Sequence, residues 1–345
     1  MDLTSPHPMQ RYWNLASAVL QVQALEYAMT SGLLNALKTS STCTKLAKQL
    51  HFDPKATAVL MELLWSMDIL ERKKSEGGSV EATLYTLTPS AKRYLLDDAD
   101  QGYAKAWRFR TETLNTCGQN LPAYLEGRLE GNDFAAVQSE QAWAHAAQGQ
   151  IAQEQRTITA PAVAQLLREI EIPFRGRFLD LGGGPGFVSI ELALQYPEMT
   201  GTVFDLPSTA EVANSNIKAA GLQERLDTLG GNAATDDLGG PYDLIWCSSV
   251  LHFLPDIDTV LHRMIAALKP GGLLVCAHAE IANTAAEALQ TLPFYMPLML
   301  RGHYVPHQDE LPTILQRHNL TLLDSRQLLH APMTPIWVHT GRKPV

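Results

Sequence analysis

The spacing of apolar residues changes character near the middle of the chain. From residue 12 to about residue 95 they recur every three or four positions, the helical period. "LASAVLQVQALEYAMTSGLLNAL" reads as a helix interrupted at Ser31 and Gly32. "STCTKLAKQL" reads as a short helix with a Ser/Thr start, and "PKATAVLMELLWSMDIL" as a helix opened by Pro54. "ERKKSEGGSVEATLYTLTPSAKRYL" reads as a hairpin turning at Gly77 and Gly78, then a helix. Helices followed by a β-wing make a winged-helix order over residues 1–100. Residues 101–172, rich in Ala and Gln, read as a helical connector that covers the next domain. From residue 173 to 345 short apolar runs alternate with helical patterns: "GRFLDLGGG", "TGTVFDLP", "LDTLGGN", "YDLIWCSS" and "GGLLVCAHAE". That alternation predicts an α/β domain with a parallel sheet covered on both faces. Trp337, in "PIWVHTGR", is expected on a C-terminal strand and buried in the sheet.

Composition narrows the function. Of 345 residues 46% are hydrophobic, enough for a large core, and the formal net charge is −9. An acidic chain does not suit a general nucleic-acid or anionic-membrane surface. The helix opened by Pro54, which would be the recognition helix of a winged helix, has Lys55 as its only basic residue. Its apolar face suits dimerisation better than DNA binding. The N-terminus lacks the basic-then-apolar order of a signal peptide, and the apolar stretches are too short to span a bilayer. Cys43, Cys117, Cys247 and Cys276 are scattered, without metal-ligand spacing. They read as free thiols in a cytoplasmic protein.

"FLDLGGGPGF", from Phe178 to Phe187, combines a strand, a glycine loop and a helix start. Gly182, Gly184 and Gly186 form G-x-G-x-G, which lets backbone N–H groups approach a ligand at a helix N-terminus. The helix is expected from Ser189 onward. Asp205, in "TVFDLP", ends the next strand, where a carboxylate can accept both ribose hydroxyls of an adenosine. A dinucleotide fingerprint from Gly182 would need glycine at Phe187, and Asp180 would face a pyrophosphate. A ligand with a positive centre and an amino group fits Asp180 better, and S-adenosylmethionine is such a ligand.

"FLDLGGGPGFVSIELALQYPEMTGTVFDLP", together with "LKPGG" at Leu268 to Gly272, resembles class I S-adenosylmethionine-dependent methyltransferases. More narrowly, it is similar to the family of caffeate, acetylserotonin and hydroxyneurosporene O-methyltransferases. The resemblance covers nearly the whole chain. It implies an N-terminal winged-helix-like dimerisation region, a homodimer, and a Rossmann-like domain with a mostly parallel seven-stranded sheet. It also implies that Gly182 and Gly184 cradle the methionine part, with Asp180, Gly183 and Gly186 also binding the cofactor. Asp205 would bind the ribose, with Leu206 beside the adenine. Asn232, next to Ala233, stands where relatives usually have an Asp that receives the adenine amino group, and its amide oxygen can accept that bond. Ser248 stands where many plant relatives have a Lys near the cofactor.

The same resemblance makes His252 the candidate catalytic base, in a place where relatives carry His-Asp. Here Phe253 replaces the Asp. A second family carboxylate falls near Ala277, with His278 and Glu280 offset from it, and a third falls near Tyr304. The expected activity is methyl transfer to a hydroxyl of a small molecule, with His252 as base. Transfer to sulfur or nitrogen would need little proton removal and would explain the missing acids. Metal-assisted C-methylation, with His303 or His307 joining His252, and a non-transferring cofactor-binding protein are further readings; no metal is expected. The acceptor pocket is expected to use Trp143, His145, Phe294, Tyr295, Met299, Arg301 and Tyr304. Aromatic and Met side chains suit a flat or sulfur-bearing acceptor, and Arg301 an acceptor carboxylate.

Overall fold

The computed structural model describes residues 4–74, 82–96, 102–129, 139–170, 175–254 and 256–345. The chain forms two compact units that divide inside a helix, between Arg108 and Phe109.

The first unit is mainly helical. Its helices are α1 (Gln10–Thr30), α2 (Leu33–Ala36), α3 (Cys43–Leu50), α4 (Pro54–Ser66) and α5 (Pro89–Tyr94). Polar side chains cap the N-termini of α3, α4 and α5: Thr42 accepts from Lys45 N, Asp53 from Ala56 N, and Thr88 from Ala91 N. Pro54 and Pro89 occupy the first helical positions, where no N–H is required. β1 (Ser41–Thr42), β2 (Leu70–Lys73) and β3 (Leu84–Leu87) form a small antiparallel sheet in the order β1-β3-β2. The wing is therefore present, while its expected turn at Gly77 and Gly78 lies outside the described residues. Leu33, Leu34, Leu46, Met61, Leu64 and Tyr85 are buried in the unit's core.

The second unit contains most of α6 (Ala104–Leu125), then α7 (Glu140–Gln148), α8 (Gln150–Glu154), a π-helical turn (Gln155–Thr159) and α9 (Ala160–Glu169). The alternating part follows: β4 (Gly176–Leu181), α10 (Phe187–Gln195), β5 (Met199–Asp205), α11 (Pro207–Ala219), β6 (Leu226–Gly230) and β7 (Tyr242–Ser248). It continues with α12 (Ile257–Ala267), β8 (Leu268–His278), α13 (Ala285–Met299), α14 (Glu310–Arg317), β9 (Thr321–Leu328) and β10 (Ile336–Arg342). The sheet order is β6-β5-β4-β7-β8-β10-β9. The first five are parallel, and β10 pairs antiparallel with both β8 and β9.

Strand side chains alternate between two cores. Phe178, Trp246 and Val275 face one layer of helices, and Leu179, Ile245 and Leu274 face the other. Burial on both faces is why these strands read as continuous apolar runs. Two expectations are corrected. α10 starts at Phe187 rather than Ser189, because Gly186, at φ 78°, already turns the chain into the helix. Trp337 lies on β10 as expected but is only half-buried, stacked on His339 near the sheet edge. Among the described residues no helix is long and apolar enough to cross a membrane.

Candidate active site

β4 and β7 are neighbours in the sheet, and their connections leave in opposite directions. This switch in strand order opens a crevice at their carboxyl ends, the ligand position in open α/β sheets. The glycine loop leaves β4 at this point. Gly182 has φ 67°, and a Cβ there would lie 2.5 Å from Val250 Cγ2, so only glycine lets the segment after β7 close down. Gly184, at φ 58°, is different. A Cβ there would meet Gln155 Nε2 at 3.5 Å and Ile151 Cγ2 at 3.6 Å, ordinary contact distances, so it is the positive φ that favours glycine here.

Two carboxylates flank the loop. Asp180 is buried at the end of β4 and accepts one hydrogen bond from Ser189 Oγ at 2.8 Å. Burial pushes it up to about 7; Ser189 lowers it and the charge of Asp205 raises it. Asp205 is half-buried. Its Oδ2 accepts from Gly184 N at 2.8 Å and its Oδ1 from Leu206 N at 2.7 Å. Burial raises it to about 6 against these two bonds. One buried and one half-buried acid, both destabilised in their charged forms, favour a ligand that brings positive charge and hydrogen-bond donors. An adenosyl group with a cationic tail brings both, and a pyrophosphate would add repulsion. The residues present therefore fit S-adenosylmethionine.

The other expected cofactor residues rim this crevice or its neighbouring strand ends. Leu206 is half-buried immediately before α11. Ala233 is buried. Asn232 is exposed; its N–H donates to Asp236 Oδ2 at 2.8 Å, and its Oδ1 accepts from Ala234 N at 2.9 Å. The oxygen expected to meet an adenine thus already serves a local turn, with one lone pair remaining. Ser248 is half-buried at the end of β7.

His252 sits in a single 3-10 turn, Leu251–Phe253. Its Nδ1 lies 3.0 Å from the backbone carbonyl of Tyr304. A carbonyl only accepts, so Nδ1 carries the proton and Nε2 presents a lone pair. Nε2 is buried without a hydrogen-bond partner among the described residues. Burial pushes the imidazole down to about 4, opposed by the Tyr304 carbonyl and helped by His303. The ring is therefore neutral at physiological pH. Tyr295 and His278 approach it edge-on, at 5.1 and 5.2 Å between centroids. His303 Nδ1 donates to the His252 carbonyl at 3.0 Å. Phe253 does steric work: its ring makes edge contacts with Trp143 at 4.8 Å and His303 at 5.3 Å.

At the two places where acids are expected, the structure has other groups. Near Tyr304 the partner of His252 is a backbone oxygen. His278 is fully buried and held neutral, with Nε2 4.0 Å from Cys247 Sγ. Glu280 is also buried. Its Oε1 accepts from His339 Nε2 at 2.7 Å, and its Oε2 has no partner among the described residues. His339 Nδ1 in turn meets Ser325 Oγ at 2.8 Å. Among the described residues no group of His, Cys, Asp and Glu is arranged to hold a metal.

Of the expected acceptor residues, the structure brings Trp143, Tyr295 and Tyr304 to the His252–Phe253 turn. Phe294 packs beside Tyr295 in a small cluster with Ile281 and Val305. His145 is exposed, because two residues along a helix place it about 200° round from Trp143. Met299 is 37% exposed at the end of α13. Arg301 is half-buried in the following turn, where its charge partly offsets the burial that raises the Cys117 thiol. The sequence reading missed two residues. Glu140 accepts from both Ser208 N and Ser208 Oγ, at 2.7 and 2.6 Å, which pins α7 to the start of α11. Gln155 bridges the glycine loop and α10. Both lie far in sequence from their partners, and no local pattern marks them.

A Rossmann-like sheet with this loop and crevice defines a class I methyltransferase fold. The O-methyltransferase domain matches residues 132–316, and the O-methyltransferase dimerisation domain matches residues 13–97. The chain belongs to this O-methyltransferase family. It is 26% identical over 271 residues to 3-hydroxy-5-methyl-1-naphthoate 3-O-methyltransferase of Streptomyces sahachiroi, covering 76% of this chain and 74% of that protein. It is 27% identical over 330 residues to aclacinomycin 10-hydroxylase RdmB of Streptomyces purpurascens, covering 91% and 84%. The crystal structure of human N-acetylserotonin methyltransferase in complex with SAM superposes with a TM-score of 0.76, at 19% identity and full coverage of both chains.

Proposed function

We propose that this S-adenosylmethionine-dependent methyltransferase transfers a methyl group to a hydroxyl of a small, flat acceptor, with neutral His252 as the base. The observation that carries this reading is the His252 ring itself. One nitrogen is tied to the Tyr304 carbonyl, and the other is buried, unprotonated and, among the described residues, without a hydrogen-bond partner. A buried lone pair without a donor costs about 1–3 kcal/mol, so it is kept for a group that enters with a proton. The aromatic surroundings, Tyr295, Phe253 and Trp143, suit a planar acceptor. The aromatic acceptor in the name of the naphthoate relative agrees with this.

Bound S-adenosylmethionine supplies an electrophilic methyl group on a sulfonium. The protein's part is to bind, align and accept a proton. Gly182, Gly183, Gly184 and Gly186 shape the loop that admits the methionine part. Asp180 answers its positive charge, Asp205 takes the ribose, and Leu206, Asn232, Ala233 and Ser248 border the adenosyl group. His252 Nε2 takes the hydroxyl proton. With an imidazole near 4, moving a proton from an ordinary phenol near 10 is uphill by about 8 kcal/mol. The acceptor hydroxyl is therefore one acidified by conjugation, or one whose proton leaves as the methyl bond forms. The same weak base supports a second reading, transfer to an amine or thiolate that needs no strong base.

The N-terminal domain makes the protein a homodimer, and the setting is cytoplasmic, where the four buried cysteines stay reduced. The test is S-adenosylhomocysteine release with matched phenol, amine and thiol acceptors. Turnover confined to amines or thiols, and unchanged in His252→Ala, would replace the hydroxyl reading with the second one.

A further inference from the structure

We infer that Gln155 is a positioning residue for the cofactor, acting through one peptide plane of the glycine loop. The inference rests on the reading that this loop binds S-adenosylmethionine.

The amide of Gln155 makes two bonds. Its Nε2 donates to Gly183 O at 2.9 Å, and its Oε1 accepts from Phe187 N at 3.1 Å. The second bond satisfies an N–H at the first turn of α10, a helix whose N-cap, Gly186, has no side chain to do so. The first bond matters more. The carbonyl of Gly183 and the N–H of Gly184 belong to the same planar peptide unit and point in opposite directions. Gln155 holds the carbonyl end of that plane, and Asp205 Oδ2 holds the N–H end at 2.8 Å. Glycines on both sides leave the plane free to rotate unless it is held. Gly186 N also donates to Gly183 O at 3.0 Å, but from within the same loop, so it moves with it. Gln155 ties that carbonyl from outside the loop, as Asp205 ties the N–H. Fixing the plane aims the Gly184 N–H at Asp205, and this bond orients the carboxylate assigned to the ribose.

The position of Gln155 is itself held. It begins the π-helical turn between α8 and α9, a local widening that is common at functional sites. The preceding Glu154 receives Arg110 from α6 in a two-bond ion pair, at 2.8 and 2.9 Å. The following Arg156 lies over the Phe187 ring at 4.4 Å. Three consecutive side chains thus anchor this turn to α6, to the loop and to α10. Gln155 packs directly beside Gly184: its Nε2 would lie 3.5 Å from a Cβ at that glycine.

The probe is S-adenosylhomocysteine, titrated calorimetrically into the full-length protein. Gln155→Met keeps the volume and removes both bonds. Binding must then order the freed peptide plane, which corresponds to a dissociation constant raised about 10-fold. Amide hydrogen exchange on the cofactor-free protein gives an independent readout. The Gly184 amide should exchange faster in the variant, while the amides in the middle of α10 stay protected. Gln155→Glu retains an acceptor for Phe187 N–H but sets a carboxylate against the Gly183 carbonyl. It should also weaken binding, and it serves if the Met variant does not fold. Wild-type affinity in a folded variant, with unchanged Gly184 exchange, would overturn the inference while leaving the cofactor reading intact. A wild-type protein that does not bind the probe would overturn the cofactor reading, and this inference with it.

Discussion

Nδ1 of His252 donates to a backbone carbonyl rather than to a carboxylate, and this decides what kind of base it can be. A carbonyl orients the ring and selects the tautomer, but it does not stabilise an imidazolium as an anion would. His252→Ala should lower kcat on a hydroxyl acceptor about 10²- to 10⁴-fold, the usual contribution of a positioned base. It should leave S-adenosylhomocysteine affinity unchanged, which calorimetry reads separately. The two acids of the cofactor crevice make a prediction about pH. Both have folded-state values raised by burial, to about 7 for Asp180 and about 6 for Asp205. A raised value means stability that is full below the unfolded value, near 4, and lost as pH rises through 6 to 7. In the cofactor-free protein these two groups therefore lower stability across that window. A ligand carrying an ammonium or sulfonium stabilises their charged forms, so its affinity should rise from pH 5.5 to 8. Asp180→Asn should flatten that dependence in a calorimetric pH series. Affinity that falls over the same range would contradict the assignment.

Helix α7 is held at two points. Glu140 ties its first turn to Ser208, and Trp143 meets Phe253. It thus runs between the end of β5 and the end of β7, with the cofactor loop between them. Glu140→Ala should speed amide exchange across residues 140–148 and raise the KM for the acceptor, with little change at β4. Slower or unchanged exchange would show that α7 is held elsewhere. At this scale the sequence was largely legible. Strands β4, β5, β7 and β8 read correctly because burial on both faces leaves a continuous apolar run that helical patterns interrupt. The Ser/Thr start of α3 was legible because capping needs a particular side chain at a particular offset, and Thr42 fills it. The holder of His252 was not legible, because a backbone carbonyl is present at every residue and leaves no mark in the sequence. Gln155 was hidden for a related reason: it lies in a Gln-rich helical stretch, and its loop partner Gly183 is 28 residues away. His145 was misleading because two-residue spacing beside Trp143 suggests nearness, while helical geometry turns it to the opposite side.

The whole molecule separates association from chemistry. In the N-terminal unit, α1 exposes Trp13, Leu15, Val19 and Leu20 at 60–69%. The first half of α1 is exposed on several sides, and apolar residues exposed in this number make a protein-contact surface, in agreement with the dimerisation domain over residues 13–97. Leu20→Glu paired with Val19→Glu should shift the protein toward monomer in analytical ultracentrifugation. A dimer that persists unchanged would place the interface elsewhere. The α/β unit carries the cofactor crevice, the glycine loop and His252, and the proposed chemistry follows from these parts together. One measurement tests that account most directly: S-adenosylhomocysteine release by wild type and His252→Ala, side by side, on a phenol acidified by a conjugated carbonyl. The account predicts turnover in the wild type and a loss of at least about 100-fold in the variant. Equal turnover in both would show that His252 is not the base.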